Sequence, residues 1–252
     1  MGEQPPSESE SAALWQILDG WRSSHFQIGL PDLEIFLEAY TNSPWAPSLH
    51  ANLGKYYRDR GFISPALEHW AAAWALAREY QEGHGKMVAD YTLAHWTRLL
   101  ASLGRYEILA AIFSDTQGRA LEPGPLSVMW ARTREAFTDM TVNPGHSYKC
   151  GTFALDHIGQ TLGLQFDARA LVSVPSPSSG FSMKALADLS TQLGLGLVPV
   201  SRGTDTKLVV PSVIHWEQEH YAAIVAQIGQ YYKVVDPTFG NAVLSDGRRD
   251  QC

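Results

Sequence analysis

Cysteine is almost absent: Cys150 and Cys252 are the only two in 252 residues. Two thiols cannot build a disulfide framework, so the fold must rest on an apolar core, with a reducing compartment or a free reactive thiol as the natural setting. Long apolar runs are missing too. No stretch approaches the roughly 18 residues that a membrane helix needs, so no membrane segment is expected. The amino terminus, MGEQPPSESESAALW, has neither a basic region nor an apolar core. That pattern excludes a Sec-type signal peptide and leaves the cytoplasm as the default compartment. Pro6 stands where an N-myristoylation signal carries Ser or Thr. Positive charge is also scarce, with 19 Lys and Arg against 26 Asp and Glu, a net charge of −7, and no basic cluster. A nucleic-acid backbone is therefore not an expected partner.

What the chain does have is core material: 45% hydrophobic residues, with 8 Trp, 10 Tyr and 9 Phe. That supports two modest domains or one large one. Residues 1–11 are polar and rich in Ser, Glu and Pro, and are expected to be a disordered tail. From Ala12 to Phe137 nearly every segment has helical periodicity, such as Leu14, Ile17, Leu18 and Trp21 on one face. Leu53, Gly54, Tyr57, Gly61, Ala66, Trp70 and Ala73 fall at the offsets of the tetratricopeptide pattern, in which small residues let paired helices approach. A degenerate second unit follows about 43 residues on, with Gly104 matching Gly61. The expectation is a tetratricopeptide-like helical domain over 12–140, ended by the turn signal Asn143-Pro144-Gly145, and a second domain over 141–252.

The second half carries the chemistry. After Cys150 the apolar residues Phe153, Ala154, Leu155, Ile158 and Leu162 have helical spacing, so Cys150 sits at a helix start, where the dipole favours a thiolate. Segments 221–228 and 231–235 read as two apolar strands around the turn Gly229-Gln230, with His220 entering the first and Asp236 leaving the second. A cysteine nucleophile needs an imidazole to activate it and a carboxylate to orient that imidazole. Cys150, His220 and Asp236 could fill those roles. They can do so only under a condition of parity: a clean two-residue hairpin puts His220 and Asp236 on opposite faces, whereas an odd loop or a bulge puts them on the same face. Leu195 to Val200 and Leu208 to Ile214 also read as strands, which makes the second half α+β with a mostly antiparallel sheet.

The boxes YKCGTFAL, SMKALADLSTQLGLGLVPV, KLVVPSVIHWEQEHYAAIVAQI and VVDPTFG, in this order, resemble the papain-like cysteine peptidases that remove double-glycine leaders from bacteriocins. The resemblance spans about Tyr148 to Gly240. It implies a hydrolase without a cofactor, with Cys150 as nucleophile, His220 as general base and acid, and Asp236 as its orienting partner. It implies a peptide or protein substrate with small residues before the scissile bond, and leaves the helical repeats to hold substrate or a partner protein. The family pattern has a Gln six residues before the nucleophile, which helps stabilise the oxyanion; here that position is Pro144. Asn143, His146 and Ser147 are the nearby candidates to donate instead. The chain also stops soon after Asp236, so a carboxyl-terminal truncation of the domain is expected. Zinc is set aside, because His146, Cys150, His215 and His220 lack metal-ligand spacing. Two rivals to the peptidase remain, a non-catalytic peptide-binding pseudo-peptidase and a self-processing segment of a longer polypeptide; transglutaminase-type acyl transfer uses the same three residue types.

Overall fold

Ser7, Asp167 and Ser182 each open a helix in the computed structural model by accepting hydrogen bonds from free backbone N–H groups. The structure describes residues 5–25, 30–203, 206–236 and 243–245, the last three by backbone alone. Ser7 Oγ accepts a hydrogen bond from the Glu10 amide at 3.2 Å and opens α1 (Glu8–Ser23). The helix thus reaches into the stretch 1–11 expected to be disordered. A serine cap followed by Glu8 and Glu10 in the first turn suits the positive end of the helix dipole, which outweighs the polar composition. Helices α2 (Leu30–Ala39), α3 (Ala46–Asp59), α4 (Ile63–Ala77), α5 (Gly83–Ser102), α6 (Tyr106–Asp115) and α7 (Pro125–Val142) follow.

By its internal contacts the chain divides into residues 1–56 with 65–96, and residues 57–64 with 97–252. The boundary expected near residue 140 therefore falls inside the second unit. In the first unit, Leu33, Phe36, Ala51, Ala66, Trp70 and Ala73 are buried. Gly54 is there because of Trp70: a β-carbon at position 54 would lie 2.5 Å from the indole ring. That ring also donates from Nε1 to the Ala51 carbonyl at 3.1 Å, so it cannot simply move aside.

The second unit continues with α8 (Pro144–Ser147), α9 (Cys150–Thr161), α10 (Ala168–Ser173) and α11 (Met183–Gln192), then β1 (Ser212–Trp216), β2 (His220–Ile228), β3 (Tyr231–Val235) and β4 (Val243–Ser245). The strands form one antiparallel sheet in the order β1-β2-β3-β4, in keeping with the α+β class. Ala154, Leu155 and Ile158 of α9 pack with Leu171, Leu186, Tyr221 and Ala223, so the helix lies on one face of the sheet. Ile214, Trp216, Ala222, Ile224, Tyr232 and Val234 fill the other.

Two expected strands need correction. Residues 195–200 form no strand, and β1 begins at Ser212 rather than Leu208. Gly194 and Gly196 both adopt left-handed φ, +76° and +60°, which breaks an extended run. The amides of Leu195 and Leu197 bond back to the Ser190 carbonyl and hydroxyl, at 2.9 and 3.0 Å, instead of to a ladder. Pro199 and Pro211 have no amide to offer.

Candidate active site

Cys150 is the first residue of α9 and is half-buried. The residue before it, Lys149, is buried and sends its ammonium to the Val174 carbonyl. Burial holds the Lys149 pKa below its ordinary value. A second bond, from the Ser176 amide to the Gly145 carbonyl at 2.9 Å, ties the same loop to the turn ahead of the helix.

His220 enters β2 from a three-residue connection in which Glu219 takes a left-handed φ of +55° and its amide bonds the Trp216 carbonyl at 3.0 Å. Gln218 in this turn is buried and donates from Nε2 to Ser64 Oγ. Both bonds hold the turn from which β2 starts.

The β2–β3 turn is the two-residue Gly229-Gln230, with Ile228 opposite Tyr231. The ladder does not continue cleanly. Ala226 pairs with Lys233 but Ile224 pairs with Val234, so Val225 is an extra, bulged residue. Beyond the bulge Ala223 faces Val235, which sets Asp236 on the face that His220 shares with Ala222. His220 Nε2 lies 3.0 Å from Asp236 Oδ1, and both side chains are buried, at 5% and 1% exposure. So little water reaches the pair that the carboxylate fixes the imidazole against little competition.

With Nε2 turned to Asp236, Nδ1 is the ring nitrogen left for the thiol, which hydrogen-bonds the imidazole. Burial pushes the Cys150 thiol up, but the hydrogen bond and charge of His220 and the backbone N–H groups of Tyr221 and Gly151 outweigh it. Its pKa falls below the ordinary thiol value. Burial likewise pushes His220 down, yet Asp236 and Cys150 together raise it to about 9. The two shifts favour one arrangement, a thiolate beside an imidazolium. Tyr221, next to the thiol, has its phenol pushed up to about 12 by burial and then by the negative charges of Cys150 and Glu219.

A cleft of about 220 Å³ opens over Cys150 and His220, bordered by Gly104, Arg105, Ser147, Ser178, Ser179 and Glu219 among others. Of the three candidate oxyanion donors, Ser147 borders it, but its hydroxyl donates to the Asn143 carbonyl at 3.1 Å. Asn143 and His146 are exposed and do not line it. His215 stacks on Tyr221, ring centroids 4.3 Å apart, and approaches Glu219 at 3.5 Å. Among the described residues no cluster of three or more His, Cys, Asp or Glu is arranged to hold a metal. Cys252 lies outside the described residues. Sequence reasoning missed Lys149, Arg105 and the serines at 178–179. The run VPSPSSG signals a turn, but nothing local says that the turn comes back to Cys150.

Residues 140–248 match the model of the Peptidase C39 family. A search of curated proteins and a search of solved structures each returned no match. The family is one of cysteine peptidases, hydrolases associated with bacteriocin processing, and the matched residues are similar to it. A peptidase family of this kind implies a peptide substrate. No helix among the described residues is long and apolar enough to cross a membrane.

Proposed function

We propose that residues 141–252 form a papain-like domain that hydrolyses a peptide bond through Cys150, His220 and Asp236. The observation that carries this reading is the buried 3.0 Å contact between His220 Nε2 and Asp236 Oδ1 beside a thiol at a helix start. The Cys150 thiolate attacks the peptide carbonyl carbon, and the carbonyl electron pair moves to oxygen. As that oxyanion collapses, the C–N bond breaks and the His220 imidazolium gives its proton to the leaving amine. A thioester remains. Neutral His220 then takes a proton from water, the resulting hydroxide attacks the thioester, and its collapse releases the acid and restores the thiolate. Asp236 holds the imidazole orientation throughout. No cofactor takes part.

The helical half fits a tetratricopeptide-like scaffold that holds the substrate or a partner protein. Support comes from the fit of Gly54 against Trp70 and from left-handed Gly61 (+81°) and Gly104 (+70°) at two helix–helix turns. By analogy with double-glycine leaders, the cleft takes small residues before the scissile bond.

One observation favours a second reading, a pseudo-peptidase that only binds peptides. Pro144 offers no side-chain donor, and losing one oxyanion donor costs about 10²–10³ in rate. Iodoacetamide labelling between about pH 4 and 9, located by mass spectrometry, tests the activated thiolate that the peptidase reading requires, because a thiolate reacts and a thiol does not. The peptidase reading expects fast labelling of Cys150 well below pH 8, abolished in His220→Ala. Labelling like that of a free thiol of pKa about 8.5, unchanged in His220→Ala, would sink it.

A further inference from the structure

The position that should hold a side-chain oxyanion donor is Pro144, and the loop 174–180 is fastened beside it. The Ser176 amide bonds the Gly145 carbonyl, Lys149 reaches the Val174 carbonyl, and Pro175 lies 3.4 Å from where a β-carbon on Gly145 would stand. From these anchors the chain makes a tight turn, closed by the Gly180 amide on the Pro177 carbonyl at 2.9 Å. Ser178 and Ser179 are its two central residues, and both border the cleft with Cys150. Among the described residues neither hydroxyl has a hydrogen-bond partner, whereas the other serines on the cleft are committed, Ser102 to the Arg98 carbonyl and Ser147 to that of Asn143.

We infer that the turn Pro177–Gly180 supplies the side-chain oxyanion donor of this site, a hydroxyl of Ser178 or Ser179 standing in for the amide that Pro144 cannot offer. The inference rests on the peptidase reading above. In it, the hydroxyl and the Cys150 amide together hold the oxygen that becomes negative when the thiolate adds to the carbonyl. The loop brings the donor from the opposite side of the sequence gap, which frees position 144 to begin a short helix.

The test uses the full chain and two probes that ask different things of the site. Iodoacetamide reads the thiolate alone. A peptide aldehyde ending in two glycines forms a tetrahedral adduct and needs the oxyanion donors as well; its binding is read by protection of Cys150 from alkylation. The variants are Ser178→Ala, Ser179→Ala, the double Ala, the two Thr replacements, and Arg105→Gln as the competing donor in the cleft. The expected result is an unchanged alkylation rate with aldehyde affinity about 10²-fold weaker in the double Ala, kept when Thr retains the hydroxyl. Wild-type aldehyde affinity in the double Ala would overturn the inference, as would a loss confined to Arg105→Gln or a fast-alkylating wild type that the aldehyde does not protect. Slow alkylation of the wild type would instead sink the peptidase reading itself.

Discussion

Asp236 Oδ1 sits 3.0 Å from His220 Nε2 because Val225, eleven residues before the Asp, bulges out of the β2–β3 ladder. A two-residue turn at Gly229-Gln230 sets one parity for the hairpin, and the bulge reverses it before the strand ends. The pairing of the buried carboxylate and imidazole is thus a matter of register as much as of residue type.

The charge of Asp236 contributes to holding His220 near a pKa of about 9. Because the group's pKa is raised, the imidazolium is present below that value and lost as pH rises through it, which puts the alkaline limb of peptide cleavage near pH 9. Asp236→Asn keeps an acceptor but removes the charge, so that limb should move toward the ordinary histidine value of about 6.5. A pH profile of kcat/KM for the two proteins checks this; an unmoved limb would detach Asp236 from the proton step.

His215 stacks on Tyr221 and plays no part in the proposed chemistry. His215→Ala should cost about 0.5–1.5 kcal/mol in urea unfolding and leave the Cys150 alkylation rate within about twofold of wild type. A tenfold fall in alkylation would place His215 in the chemistry after all.

Lys149 is buried with its ammonium on the Val174 carbonyl. Lys149→Ala removes both the bond and the packed stem, whereas Lys149→Met keeps the stem. Stability should fall by about 1–3 kcal/mol for Ala and by less for Met. Limited proteolysis should cut the 174–180 loop faster in both variants. Equal losses would mean that the bond alone matters.

In the first unit, Gly54→Ala drives a methyl to 2.5 Å from the Trp70 ring, which a hydrogen bond to Ala51 holds in place. We expect a loss of about 1–3 kcal/mol. Thermal unfolding that matches wild type would show that the helix pair adjusts freely.

The two hairpin strands and the Cys150 helix were legible in the sequence because each is a local pattern: near-continuous apolar, β-favouring runs on either side of Gly229-Gln230, and a 3.6-residue period. Parity was legible only as a condition. That a bulge met it, and that it fell on Val225, depends on how β2 twists against both its neighbours. The strand expected at 195–200 failed because left-handed Gly194 and Gly196 let Leu195 and Leu197 fold back onto Ser190. Residues 97–140 were assigned to the helical half by their helical periodicity and repeat offsets, which say nothing of which neighbours a helix contacts. The approach of 174–180 to Gly145 was invisible for the same reason: it joins residues some thirty apart with no shared period.

The β2–β3 hairpin has a consequence for how reactivity arises as the chain folds. His220 and Asp236 lie 16 residues apart on one hairpin, a unit that closes in about 1–10 μs, while Cys150 arrives from 70 residues away and must wait for the slower docking of α9 on the sheet. Until that docking the imidazole is already tethered but the sulfur is an ordinary thiol, in an ordinary state of protonation. The nascent chain is chemically quiet, and its capacity to cut appears only together with the tertiary structure that confines it.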